Sequence, residues 1–514
     1  MSATDRATFA DRWRTAVDAV PDRTFLVWED DDERTTRWTY REFDILVEAV
    51  GGGLAKHGAG PGRPVHLALA NSPGFVAVWL AAARLGAVVV PSDPRASTRE
   101  LADAIIRTRP AVGVCGEART DVYGPAAEGG PVVLPVDEAD TDLEVLRGPR
   151  PAEEERIEAT DPAAVMFTSG TTSAPKGVVV TQANYAFAGD VMAAAAGLTR
   201  DDRQLVVLPL FHANAQYYSF ASAISAGAGV ALMSGFSASG FVYQAARHRA
   251  THASLFAAPM RMIIARGVDR GAGCRLEHCW YAQNVSDDQY DTLAGLFGCR
   301  PRQLYGMTET IPAVLTNRAL DPVPSAMGVP TLGCRVDLRA PDSDAPVPTG
   351  EVGEVVVGGR PGITLFAEYL GDPDTTAASY RGAWFRTGDL ARRDEDGRFY
   401  FAGRRGDVLK VAGENVSTVE VEAVLSAHPS VLEAAVVGAS DPVRDEVPVA
   451  YVVQVPGADP VTAEALETYS TERLAPAKCP REYHFVDELP RTSVGKIKKF
   501  MLSGDTPPVS SPST

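Results

Sequence analysis

Residues Val165 to Val180 read VMFTSGTTSAPKGVVV, and this stretch decides how the rest of the chain is read. An apolar run, Ala163 to Phe167, meets Thr168-Ser169-Gly170-Thr171-Thr172-Ser173 and then Ala174-Pro175-Lys176-Gly177. A β-branched run, Val178 to Thr181, follows. Apolar and β-branched residues on both sides predict two short strands. The segment between them suits a polyanion: glycine admits close backbone approach, hydroxyls and amides donate hydrogen bonds, and lysine supplies a point charge. The same residues also fit a Ser/Thr-rich hairpin turn, and the stretch by itself leaves both readings open. It is not the Walker arrangement, which needs Gly-x-x-x-x-Gly-Lys-Ser/Thr opening a helix. Here Gly170 to Lys176 has a different spacing and a strand comes next.

At 514 residues the chain exceeds one hydrophobic core, so at least two domains are expected. A net charge of −17 argues against a nucleic-acid surface and against attraction to anionic membranes. The six cysteines are scattered without a Cys-x-x-Cys pair, which fits reduced thiols and no metal or disulfide frame. No run reaches membrane-spanning length and the first residues lack an apolar signal core, so a cytoplasmic protein without membrane insertion is expected.

Alternation of short strands (Val65–Ala70, Ala87–Pro91, Val112–Cys115) with helices (Thr39–His57, Pro73–Gly86, Ser97–Arg107) predicts parallel α/β layers. Thr39 and Glu42 have the spacing of a capping box. Further on, Gln182–Ala196 and Ala215–Ala226 are expected as helices, with Gln204–Leu208 and Gly229–Met233 as strands. From Ser325 short strands and turns predict a β-rich subdomain. Residues 420–473 then predict a compact α+β unit, and Ser503–Thr514, rich in Pro and Ser, a disordered tail.

Thr168 to Gly177 resembles the signature loop of the adenylate-forming superfamily, which holds acyl-CoA synthetases, luciferases and the adenylation domains of peptide synthetases. Five more blocks resemble that family in order. Phe211-His212-Ala213-Asn214 is similar to its histidine block beside the acyl pocket, although His212 taken alone reads rather as a core histidine. Tyr305-Gly306-Met307-Thr308-Glu309 resembles the block in which the aromatic ring stacks on adenine, threonine meets phosphate and glutamate holds Mg2+. Thr387-Gly388-Asp389 resembles the turn whose aspartate accepts hydrogen bonds from both ribose hydroxyls, and two acceptor oxygens suit a vicinal diol. Gly403 to Asn415 is similar to the hinge and the loop after it, with Arg404 on the ribose and Gly413-Glu414 entering for the second half-reaction. Gly495-Lys496-Ile497 resembles the block of the adenylation lysine. Standing alone, Lys496 reads as a solvated residue beside Lys498 and Lys499.

The resemblance implies an α/β fold: a large N-terminal domain (1–402) with a β-rich subdomain, a hinge (403–407) and a small mobile α+β C-terminal domain (408–502). It implies an acid:CoA ligase that uses ATP and Mg2+, with Thr168, Ser169, Gly170, Thr171, Thr172 and Lys176 on the nucleotide. The expected partners are a small carboxylic acid, ATP and CoA, with a homodimer left open. The rival reading keeps adenylation and passes the acyl group to a carrier-protein thiol, an amine or another nucleophile. The blocks look most like carnitine/crotonobetaine-type acyl-CoA ligases. Two departures stand out: Tyr281-Ala282-Gln283-Asn284 where the family often has a Gly-Gly-Ala-Pro-like turn, expected to narrow or polarise the acyl site, and Gly406 where the hinge usually has a charged residue.

Overall fold

A computed structural model describes residues 7–150, 156–168, 175–268, 273–341, 343–404, 408–411, 414–441, 444–457, 459–491 and 497–502. The chain divides into two units: one takes 1–169, 174–336 and 357–385, and the other takes 337–356 and 386–514.

The first unit begins with β1 (Thr24–Glu29), β2 (Thr35–Thr39), β3 (Pro64–Ala68), β4 (Val88–Pro91), β5 (Val112–Gly116) and β6 (Val132–Val136). Next come β7 (Pro162–Thr168), β8 (Lys176–Thr181), β9 (Arg203–Val206), β10 (Gly229–Met233) and β11 (His252–Phe256). After β12 (His278–Ala282), β13 (Arg302–Tyr305), β14 (Leu315–Thr316) and β15 (Val329–Pro330) the first unit adds β18 (Glu368–Tyr369), while β16 (Arg335–Arg339) and β17 (Val352–Gly358) fall for the most part in the second unit. Two sheets result, ordered β18-β8-β7-β4-β3-β5-β6 and β15-β14-β13-β12-β11-β9-β10-β1-β2. Their central strands pair in parallel, β3 with β4 and β5, and β11 with β9 and β12. Helices between such strands bury both sheet faces, which explains continuous apolar runs such as Val88-Val-Val-Pro91, buried throughout. The β19 (Tyr380–Arg381), β20 (Trp384–Arg393) and β21 (Phe399–Arg404) strands close the β-rich stretch, β20 and β21 pairing antiparallel with Asp389 opposite Arg404.

In the second unit β22 (Val408–Val411), β23 (Glu414–Ser417), β24 (Val431–Asp441), β25 (Asp445–Gln454) and β26 (Glu482–Phe485) make a sheet ordered β23-β22-β25-β24, with β26 on β25. Alternate residues of β24 enter different cores: Ala434 and Val436 lie with Val421, Leu425 and Leu466, while Ala435 lies with Val449, Tyr451 and Leu489. This period of two is what makes the strand legible in sequence. The fold is therefore α/β with a large N-terminal domain and a separate C-terminal one.

Local signals act as read. The Thr39 hydroxyl accepts from Glu42 N at 3.2 Å and Glu42 Oε2 accepts from Thr39 N at 2.7 Å, so the capping box opens the helix Tyr40–Lys56. One expectation changes in kind. The helix predicted over 215–226 is a π-helix across Asn214–Ala221 and becomes α-helical only over Ser222–Ala226. No described helix is long and apolar enough to cross a membrane.

Gly51-Gly52-Gly53 inside the helix Tyr40–Lys56 looks unfavourable by propensity, yet the chain around 146–149 lies directly on its backbone. Gly148 N donates to Ala49 O at 2.9 Å, and a Cβ at Gly53 would stand 1.8 Å from Leu146 O. Gly53→Ala gains about 1 kcal/mol in helix propensity but forces backbone apart, an overpacking cost of about 1–3 kcal/mol or more. The clash wins, so the variant should unfold at lower urea concentration than wild type; an unchanged or higher midpoint would show that segment 146–149 does not dock here.

Candidate active site

In the first unit, β7 and β8 form the expected hairpin, with Thr168 directly opposite Lys176. Ser169, Gly170, Thr171 and Thr172 lie outside the described residues, so the two stem residues carry the geometry. Helix Thr98–Thr108 braces that stem: Arg107 Nη1 donates to Pro175 O at 2.7 Å and its guanidinium lies 4.6 Å from the centre of the Phe167 ring. Lys176 Nζ lies 4.9 Å from the centre of the Tyr369 ring.

The Tyr305–Thr310 block leaves β13 through Gly306, where a Cβ would meet Tyr218 Oη at 2.7 Å and Pro312 O at 3.0 Å. Only glycine fits that contact. A single 3₁₀ turn, Thr308–Thr310, follows, with Thr310 Oγ1 accepting from Met307 N at 3.0 Å. Ile311, buried and β-branched, then sits at φ 72°, a conformation costly for such a residue. This turn buries the Glu309 side chain. Phe366 N donates to Glu309 O at 3.0 Å, and the Tyr369 hydroxyl donates to Glu309 Oε1 at 3.0 Å. Burial first, and the Glu309 charge second, push the Tyr369 phenol far above its ordinary range, so it stays a donor. Tyr380 is raised for the same two reasons, and its buried hydroxyl has no partner among the described residues. No group of three or more His, Cys, Asp or Glu side chains that could hold a metal occurs among the described residues. One buried carboxylate fits a hard divalent cation that takes its other oxygens from phosphates and water.

Phe211 and His212 follow β9, their rings 4.1 Å apart between centres. The turn is fixed from below by Asn71, whose Oδ1 accepts from Leu210 N at 2.8 Å and whose Nδ2 donates to Leu208 O and Met233 O at 3.1 Å. Gln216, on the π-helix, donates to Leu210 O at 2.6 Å and accepts from the Tyr185 hydroxyl. Such π-stretches are rare and are frequently found at functional sites. At the unusual Tyr281-Ala282-Gln283-Asn284 segment, Gln303 Nε2 donates to Gln283 O at 2.9 Å and to Asn284 Oδ1 at 2.7 Å. Gln283 is held at φ 74°. The polar residues are thus clasped onto β13, and Gln303 Oε1 is buried with no hydrogen-bond partner among the described residues.

In the second unit, Asp389 is 4% exposed and accepts from Arg404 Nε at 2.9 Å. Its own N–H donates to Thr387 Oγ1 at 3.1 Å, and that hydroxyl donates to Val355 O at 2.8 Å. Gly388, at φ 75°, donates to Glu354 Oε1 at 3.1 Å, and Arg386 pairs with the same carboxylate. The turn that presents Asp389 is therefore held by a buried glutamate. Lys496, Gly413 and Gly406 lie outside the described residues; Glu414 opens β23, and its side chain is likewise outside them.

The residues that sequence reasoning missed are those that hold the blocks: Arg107, Tyr369, Gln303 and Glu354. The only signal for Tyr369 is an aromatic residue in an otherwise ordinary Phe366-Ala-Glu-Tyr-Leu370 run, which does not single it out.

Comparison with known proteins gives the family. The AMP-binding enzyme family matches residues 13–370, and the AMP-binding enzyme C-terminal domain matches residues 420–496. Crotonobetaine/carnitine–CoA ligase of Escherichia coli is 32% identical over 504 residues, covering 94% of this chain and 96% of its own. A benzoate CoA ligase from Burkholderia xenovorans superposes with a TM-score of 0.86 at 26% identity, over 96% of this chain and 99% of that one. The o-succinylbenzoate CoA synthetase of Bacillus subtilis, bound to its acyl-adenylate, gives 0.83 at 26% identity, over 96% and 97%.

The Asp389–Arg404 pair is half open, Arg404 being 45% exposed, so its strength should be nearer that of a surface pair than a buried one. A double-mutant cycle of Asp389→Asn and Arg404→Ala, read by urea unfolding, should give a coupling of about 1 kcal/mol. Strictly additive single effects would show that the two do not interact in solution.

Proposed function

The chain belongs to the AMP-binding enzyme family and is an acid:CoA ligase that works through an acyl-adenylate, and from that premise we propose which of its residues divide the work. ATP and a small carboxylic acid give acyl-AMP and pyrophosphate; the CoA thiol then displaces AMP to give the acyl-CoA thioester. The difficulty lies in the first step, where a carboxylate attacks an α-phosphate and two anions must be brought together.

In this reading Thr168, Ser169, Gly170, Thr171, Thr172 and Lys176 hold the polyphosphate. Tyr305 stacks on adenine, Thr308 meets a phosphate, Asp389 with Arg404 receives the ribose, and His212 with Phe211 forms part of the acyl pocket. Glu309 is the protein ligand of Mg2+, which when bound neutralises charge on the phosphate oxygens. Lys496 supplies the cation between carboxylate and α-phosphate, and Gly413 with Glu414 serves the thioester step. The observation that carries this reading is the burial of the Glu309 carboxylate and its link, through Tyr369, to Lys176 of the signature hairpin. A buried carboxylate beside the signature hairpin suits a hard cation carried on bound nucleotide. Six free cysteines, four of them buried, fit a reduced cytoplasmic setting.

Two measurements test the reading. Pyrophosphate release across a panel of carboxylic acids, with and without CoA and with products read by mass, should find an acid that yields acyl-AMP alone and acyl-CoA when the thiol is present. Release that never leads to a thioester would favour another acceptor. Lys496→Ala should lower acyl-AMP formation by on the order of a thousandfold, the scale of losing a preorganised charge on the transition state, while sparing thioester formation from synthetic acyl-AMP. Unchanged adenylation in that variant would remove Lys496 from the first half-reaction.

A further inference from the structure

Strand β9 ends at Val206, opposite Leu232 of β10, but the chain stays buried beyond it through Leu208 and Leu210. Pro209 between them has no N–H, and the backbone groups on either side need partners that no strand supplies. Two buried carboxamides supply them. Asn71, just past β3 in the other sheet, accepts from Leu210 N at 2.8 Å and donates to Leu208 O at 3.1 Å. Its second N–H goes to Met233 O, at the end of β10, also at 3.1 Å. Donating to one residue and accepting from the residue two further on is what a residue of a neighbouring parallel strand does. The Asn71 side chain therefore stands in for one strand residue beside Pro209. Gln216, on the π-helix, takes the other end of Leu210: its Nε2 donates to Leu210 O at 2.6 Å, and its Oε1 accepts from the Tyr185 hydroxyl. His212 N then closes the turn on Pro209 O at 3.2 Å.

We propose that Asn71 and Gln216 are positioning residues for the wall that Phe211 and His212 present to the acyl group, and so for which acids the site accepts. The inference rests on the reading of His212 as part of the acyl pocket. Phe211 and His212 directly follow Leu210, whose N–H and C=O are both held by side chains. A wall carried on a loop is less precise than one carried on a strand, and a pocket that sorts acids by size has to keep its walls in place, since one methylene changes discrimination tenfold or more. The two carboxamides give this loop the fixity of a strand. Asn71 cannot drift itself, because Ser72 caps the helix Pro73–Leu85, its Oγ accepting from Phe75 N at 3.2 Å. Its carboxamide uses both N–H groups and its oxygen, a set that aspartate, with no donor, cannot reproduce. In Asn71→Asp the carbonyls of Leu208 and Met233 would face a carboxylate oxygen, and the turn would have to move.

The probes are 5′-O-sulfamoyladenosine, which has no acyl group, and its N-acetyl, N-hexanoyl and N-benzoyl derivatives, with binding read by titration calorimetry. Asn71→Asp should leave sulfamoyladenosine within about twofold while weakening whichever acyl derivative the wild type binds best by about tenfold, the scale of a misfitted pocket wall. The spread of affinities across the three acyl groups should narrow accordingly. Gln216→Met keeps the length, removes the amide and should act in the same direction, which preserves the test if Asn71→Asp melts below the assay temperature. Wild-type affinities for all acyl derivatives in these variants overturn the proposal. So does an equal loss on sulfamoyladenosine and its derivatives, because a merely structural role weakens every probe alike. A His212→Ala arm separates this failure from that of the premise. If that variant binds every probe as the wild type does, His212 does not border the acyl group and the inference falls with it. If it shifts the acyl derivatives while the carboxamide variants do not, the positioning alone is wrong.

Discussion

A carboxylate taken out of water has to be compensated, and burying Glu309 is the demand around which the β8, β13 and β18 corner of the first unit is built. An uncompensated buried charge costs several kcal/mol, a large part of a domain's net stability. The compensation comes from segment 360–370, which reaches the carboxylate through Tyr369 and its backbone through Phe366. That segment is itself anchored by the helix after the signature hairpin: Thr181 donates to Gly362 O at 2.7 Å, and Asn184 Nδ2 to Ile363 O and Leu365 O at 2.9 Å. Thr181 and Asn184 also cap that helix. The same two residues thus start a helix and hold the strand that steadies the acid, so local structure and site geometry depend on one another.

Much of this was legible in sequence because it is local. The β7–β8 hairpin shows as two apolar runs about a small-residue loop, and the capping box of Thr39 and Glu42 needs only a spacing of three. The strands His252–Phe256, His278–Ala282 and Arg302–Tyr305 were not legible. They are parallel strands inside a sheet, covered on both faces, so they lack the alternation that marks a half-exposed strand. Polar residues such as His252, His278 and Arg302 interrupt their apolar runs, and only the fold shows how these are satisfied, Arg302 Nε donating to His278 Nδ1 at 2.8 Å. The π-helix at Asn214–Ala221 has no sequence sign either, since its apolar residues suit an α-helix as well.

The candidate site divides along the same line. Thr168, Lys176, Glu309, Asp389 and Arg404 fall within short blocks whose chemistry is recognisable. The residues that orient them do not, because each acts across a long separation. Tyr369 meets Glu309 sixty positions away, and Glu354 meets Gly388 thirty-four away. A glutamate that holds a turn through one backbone amide looks like any surface acid until the fold places it at 1% exposure.

The strain at Ile311 follows from the same geometry. Its φ of 72° would be relieved by glycine, yet a buried isoleucine occupies the position directly after the Thr308–Thr310 turn. A glycine here would free the backbone to leave the conformation, and the turn would lose its grip on Glu309. With the apolar side chain locked in the core at 0% exposure, the strained backbone has no alternative that keeps the core filled. Packing therefore stiffens the short turn that presents Glu309, and Tyr369 fixes the carboxylate at its far end. A carboxylate held at both ends has little freedom to reorient, so its charge stays where the fold puts it and need not move to act.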